Sequence, residues 1–103
     1  MIKHRKKVEI VTDSVEIKTV IELLDEIGVS GYTIIRDVIG KGGRGKRMGD
    51  EVTDLLKNSY IMVICNDIEA HKIAEAIMSI KRKFGGICIV SDAIVISGHS
   101  PAP

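Results

Sequence analysis

Aromatic side chains are scarce in this 103-residue chain: Tyr32, Tyr60 and Phe84 are the full complement, and tryptophan is absent. Modules that hold single-stranded nucleic acid on a sheet stack bases on exposed rings, and two separated tyrosines are thin support for that use. Long apolar runs are missing too, and none approaches the ~20 residues of a membrane-spanning helix. The amino terminus carries charge, Lys3-His4-Arg5-Lys6-Lys7, with no apolar segment behind it, so it does not read as a secretion signal. It reads as a solvated lead-in to a strand, and the chain as cytoplasmic. There is little excess of one charge: 15 Lys and Arg stand against 14 Asp and Glu, a net of +1. A generally basic nucleic-acid binder is therefore excluded, and any positive site is local. Cysteine is limited to Cys65 and Cys88, each inside an apolar run and without metal-site spacing, so both read as buried small hydrophobes.

Hydrophobic content of 45% with 28% charged residues is enough for one domain, 1–103, with a core of its own. Val8 to Val11 is a short strand candidate. Asp13 then precedes a helix, with Glu16 three residues on, the spacing of a capping box. Ile17, Val20, Ile21, Leu24 and Ile27 recur at helical spacing, and Gly28 is placed to end the helix. From Gly31 to Ile39 the chain favours extended structure. The second half repeats the plan. Tyr60 to Cys65 is a strongly apolar strand, and Asn66 with Glu69 is a second capping pair. Ile73, Ala74, Ile77, Ile80 and Phe84 form another helical face, stopped by Gly85-Gly86. Ile87–Val90 and Ala93–Ile96 read as two short strands, and residues 97–103 as a loose tail.

A βαββαβ order predicts a ferredoxin-like α+β sandwich, with both helices on one face of an antiparallel sheet of order 4-1-3-2. The two cysteines would then sit on strands that flank the first strand, too far apart for a disulfide. The strands at 61–65 and 87–90 are apolar at nearly every position, whereas a sheet open to water on one side should alternate. Two helices cannot cover both faces, so an oligomer that buries the sheet is expected.

Between the halves lies Gly40-Lys41-Gly42-Gly43-Arg44-Gly45-Lys46-Arg47-Met48-Gly49, with five glycines and four cations in ten residues. Glycines let backbone N–H groups approach a ligand, and the cations add charge and bidentate donors, a combination that suits phosphate. The bland alternative is a solvated loop. The segment nearly fits the phosphate loop G-x-x-x-x-G-K-[ST], but Arg47 stands where Mg²⁺ needs a hydroxyl, and no core helix follows. His4, His71 and His99 are scattered, the carboxylate pairs Asp25-Glu26 and Asp50-Glu51 read as solvated, and no nucleophile–base set can be argued from spacing. Nothing in the sequence demands an enzyme.

On these residues the chain resembles the PII signalling superfamily across about residues 7 to 98. Gly28-Val29-Ser30-Gly31-Tyr32-Thr33 is similar to that family's helix-to-strand segment, Gly40-Lys41-Gly42-Gly43-Arg44 to the base of its T-loop, and Phe84-Gly85-Gly86-Ile87 to its B-loop. Residues 40–58 would be the T-loop and 82–87 the B-loop. They contain no tyrosine for uridylylation between 40 and 58, and the tail Ile96-Ser97-Gly98-His99 lacks the Arg-x-Arg of a classical nitrogen-regulatory PII. The closer likeness is to PII-like proteins of bicarbonate transport and carboxysomes, the SbtB and carboxysome-associated groups. Their Gly-Lys-Gly-x-Arg-x-x-Arg pattern is met by Gly40 to Arg47, though the chain ends without their cysteine pair.

The resemblance implies a homotrimer that binds an adenine nucleotide between subunits: ADP or AMP, or ATP or cyclic AMP, with bicarbonate as a further ligand and no metal. Gly31, Tyr32 and Thr33 would border adenine. Gly42 and Gly43 would approach with backbone donors, Arg44 and Arg47 would meet phosphate, and Gly85 and Gly86 would add amides from the neighbouring side of the cleft. The T-loop would signal to a membrane transporter for bicarbonate or a related anion, with peripheral recruitment to that membrane. A classical nitrogen-regulatory sensor and, further off, an RNA-binding ferredoxin-like module are the alternatives. Without the resemblance, Gly85-Gly86 reads equally well as a helix stop and Thr33 as an ordinary sheet residue.

Overall fold

The computed structural model describes residues 1–40, 56–84 and 86–97. Its elements run β1 (Ile2–Asp13), a short 3-10 turn (Ser14–Glu16), α1 (Ile17–Ile27), β2 (Thr33–Gly40), β3 (Leu56–Cys65), α2 (Asp67–Phe84) and β4 (Ile87–Ile96). The strands form one sheet in the order β2-β3-β1-β4, with every neighbouring pair antiparallel. Each helix therefore carries the chain over one intervening strand, α1 across β3 and α2 across β1. The expected ferredoxin-like order is the observed one.

The period-two alternation of β1 places Val8, Ile10 and Thr12 on one face, opposite Val63, Ile61 and Ser59 of β3. All six are buried. Val20 and Leu24 of α1, and Ala70, Ile73, Ile77 and Ile80 of α2, close over them to form one core. Gly28 ends α1 in the left-handed region at φ 89°, with its N–H donating to the Leu24 carbonyl at 3.0 Å. The Asn66–Glu69 box forms reciprocally: Glu69 N–H donates to Asn66 Oδ1 at 2.7 Å, and Asn66 N–H to Glu69 Oε1 at 3.1 Å. Cys65 and Cys88 are not joined in a disulfide and lie on strands separated by β1; Cys65 is buried as expected, whereas Cys88 is only partly so. Burial pushes the Cys65 thiol above its ordinary range, with the Glu69 charge adding to the effect, so its reactive thiolate is disfavoured.

Five boundaries differ from the sequence reading. β1 begins at Ile2, so Lys3 to Lys7 is strand and not a lead-in: Lys6 bonds Asp92, and the ladder with β4 continues until Met1 and Ser97 exchange N–H···O bonds of 2.9 Å. The expected capping pair at Asp13 and Glu16 does not form; the Asp13 carboxylate accepts instead from Val15 N–H, giving a 3-10 turn before α1. β4 is one strand, because Ser91 and Asp92 stay in register with Lys7 and Lys6. The loop expected over 40–58 is narrower, since Gly40 closes β2 and Leu56, Lys57 and Asn58 open β3. Of the expected B-loop 82–87, residues 82–84 end α2 and Ile87 starts β4.

The face of the sheet away from the helices carries Ile35, Tyr60, Met62, Ile64, Glu9, Val11, Ile87 and Ile89. Ile35, Ile87 and Ile89 are about half exposed in the single chain.

Candidate functional site

β1 outruns β3. Opposite Lys6 the last β3 residue, Cys65, is reached, and the chain turns at Asn66 into α2. The step left there is a cavity of about 590 Å³. Gly31, Tyr32 and Thr33 border it on one side, Met62 and Ile64 form its floor, and Lys3 and Arg5 border it on the other side. Tyr32 fixes the lead-in to β2: its hydroxyl donates to Asp25 of α1 at 3.1 Å, and its ring packs against the core. Partial desolvation, then the Asp25 carboxylate, raises its phenol above the ordinary range. Thr33 pairs with Met62 and is exposed. At Gly31 an added Cβ would meet no atom within 4 Å, so nothing within the chain requires a glycine there.

Gly86 has a different setting. It lies beyond the opposite end of the sheet, at φ 106°, where an added Cβ would come within 2.5 Å of the Val11 carbonyl oxygen. Only glycine fits this approach. Gly86 leads into edge strand β4, while Thr33 opens the other edge strand, β2. One chain thus assembles Gly31, Tyr32 and Thr33 in one cavity and leaves Gly86 apart from them. Gly42, Gly43, Arg44, Arg47 and Gly85 lie outside the described residues. The stem beneath that loop is set: Ile39 pairs with Lys57 and Gly40 with Leu56, past an irregularity between Ile35 and Val38 in which Asp37 holds φ 57°.

The sequence reading passed over two features. Lys3 and Arg5 reach the cavity because the alternation of β1, extended back from Lys7, keeps both on the helix-free face; counting back by twos from Val11 would have found them. The second is on the same face, where Tyr60 donates its hydroxyl to Glu9 at 2.7 Å, with Lys7 at 3.9 Å from Glu9. The bond to Glu9 raises the Tyr60 phenol, and desolvation adds to it. Among the described residues no group of three or more His, Cys, Asp or Glu is placed to hold a metal ion, and no helix is long and apolar enough to cross a membrane.

The βαββαβ order, the helix-free sheet face and the long connection between β2 and β3 define a ferredoxin-like sandwich of the PII type. Residues 5–100 match the family model of nitrogen regulatory protein P-II, and the chain belongs to that family. Among solved structures it is similar to CPII, a nitrogen regulatory PII-like protein from Thiomonas intermedia K12, bound to ADP, AMP and bicarbonate. That match has a TM-score of 0.80 and 23% identity, over 96% of this chain and 100% of that one. A CPII structure bound to ADP, AMP and acetate aligns at 26% identity with a TM-score of 0.77, over 94% of this chain and 93% of the other.

Proposed function

We propose that this protein is a non-enzymatic PII-like sensor that binds ADP or AMP, with bicarbonate as a second ligand, in clefts between the subunits of a homotrimer. It would regulate a membrane transporter for bicarbonate or a related anion through the loop between β2 and β3. The observation that carries the cleft is the placement of Thr33 and Gly86 at opposite edges of one sheet. Two edges of one chain cannot close on one ligand, whereas edges of adjacent copies can. The half-exposed isoleucines of the helix-free face support the same assembly, because apolar sheet surface of this kind is ordinarily covered. The ligand class is supported by family membership and by the ligands of CPII. Within the family, the bicarbonate-linked subgroup is favoured over a classical nitrogen sensor by the lack of tyrosine between residues 40 and 58.

In this reading Gly31, Tyr32 and Thr33 of one subunit border adenine, Gly85 and Gly86 of the next supply amides, and Gly42, Gly43, Arg44 and Arg47 reach the phosphates. Ligands with different phosphate counts would hold the arginines differently, and that difference in binding is the signal. Calorimetry with AMP, ADP, ATP, cyclic AMP and bicarbonate tests it, alongside light scattering for a three-chain mass. Loss of two charge-assisted contacts in Arg44→Ala/Arg47→Ala should weaken ADP by roughly tenfold or more. Unchanged affinity would remove the phosphate role.

A further inference from the structure

We infer that Arg5, with Lys3 beside it, forms an oxyanion subsite of the cavity bordered by Gly31, Tyr32 and Thr33; the inference rests on the ligand class proposed above and adds two residues to it. Arg5 and Lys3 alternate along β1 on the helix-free face, where they stand opposite Ala93 and Val95 of β4. They occupy the stretch of β1 that β3 no longer flanks, so their side chains border the step and not the body of the sheet. Arg5 Nη1 donates to the His4 carbonyl at 3.0 Å, which uses one guanidinium N–H and leaves the planar fork with further donors.

The charge balance of the cavity favours an anion. Its lining residues charged at neutral pH are Lys3, Arg5 and Glu69, two cations against one carboxylate. Glu69 already accepts from the Asn66 N–H, which spreads part of its charge into the start of α2. A second cavity, of about 650 Å³, adjoins it across the same ribbon, and Arg5 borders both. On that side Lys6 is bonded to Asp92, with Asp67 at 3.7 Å. Gly31 adds the other half of a subsite, an open stretch of backbone with room for a ligand to approach closely. An oxyanion seated there, a nucleotide phosphate or bicarbonate, would be met by Arg5 from one side while the base or its neighbour rests along Gly31 to Thr33.

The test is calorimetry on the full chain with ADP, adenosine and bicarbonate, each titrated separately into wild type, Arg5→Gln/Lys3→Gln and Arg5→Lys. If a phosphate occupies the subsite, the double variant loses roughly tenfold in ADP affinity, adenosine binding is unchanged, and Arg5→Lys recovers part of the loss. If bicarbonate is the occupant, its affinity falls and that of ADP holds. Either result supports the subsite. Unchanged binding of all three by a double variant whose thermal unfolding matches wild type overturns it while leaving the nucleotide reading intact. A wild type that binds neither ADP nor bicarbonate defeats both together. Should the double variant unfold, the same comparison is read from Arg5→Lys alone, where unchanged ADP and bicarbonate affinity and salt dependence overturn the subsite.

Discussion

Replacing Gly86 by alanine should be among the most damaging single-methyl changes in the described fold. Two costs coincide. The residue sits at φ 106°, a region side chains rarely adopt, and holding a non-glycine residue in such a region costs about 1–3 kcal/mol. The new Cβ would also lie 2.5 Å from the Val11 carbonyl oxygen and 3.5 Å from Thr12 Cα. Both are backbone atoms of the central strand β1, which cannot swing aside as a side chain would. Forced overpacking of this kind adds about 1–3 kcal/mol. The sum, about 2–6 kcal/mol, is a large share of the ~5–15 kcal/mol that holds a domain folded. With a urea slope of about 1–3 kcal/mol per molar, the midpoint should fall by roughly 1 M or more. Gly28→Ala is the control. It has positive φ, 89°, but no atom within 4 Å of the added methyl, so the left-handed penalty of about 1–2 kcal/mol stands alone. All proteins should be compared at one concentration, since association stabilises the folded state. A Gly86→Ala midpoint equal to or above that of Gly28→Ala would refute the assigned clash.

The third glycine of the set gives a separation of stability from binding. Gly31→Ala meets open space, so its urea midpoint should match wild type, while ADP binding by calorimetry weakens if a ligand lies against that backbone; a lowered midpoint would show a structural need that the packing does not reveal. On the helix-free face, Glu9→Ala should bring the Tyr60 phenol back down toward 10.0, read as phenolate absorbance against pH in a Tyr32→Phe background. The phenol is raised in the fold, so its contribution to stability is present below the unfolded-state value and is lost as pH rises through the folded one. Alkaline unfolding should therefore be less steep in Glu9→Ala, and an unmoved titration would deny the Glu9 bond its assigned role.

Much of the fold could be read from periodicity. Val20, Leu24, Ile73, Ile77 and Ile80 fall at helical spacing, and all five are buried in the core. The sheet order followed from two βαβ crossovers, each of which must skip a strand. Strand lengths could not be read, for a physical reason. Lys3 to Lys7 and Ser91-Asp92 are polar, yet they form ladder because β1 and β4 pair with each other through their backbones, and hydropathy does not register such rungs. The Asp13–Glu16 box fails for another reason: a short carboxylate can bond the N–H two residues on as readily as three, and Asp13 caps the 3-10 turn through the nearer donor, Val15. For the site, Gly31, Tyr32 and Thr33 were legible as a group and are grouped in the cavity. Arg5 and Lys3 were missed because their strand was missed. Gly86 was legible as a stop, but its tight approach to Val11 depends on a residue 75 positions away.

The unequal lengths of β1 and β3 have a consequence for how this fold can diversify. A recess made by one strand outlasting its neighbour has a rim, here Lys3, Arg5 and Gly31, that stands outside the core even though Tyr32 and Cys65 of the same recess do not. Lys3, Arg5 and Gly31 can each be exchanged without disturbing Ile10, Ile61 or Ile77, so chemical preference at that rim can drift almost freely between lineages. The Gly86 corner has no such latitude, because its geometry is fixed by the backbone of the central strand. Variation among proteins of this architecture should accordingly concentrate at the Arg5 rim, with the glycine corner held constant.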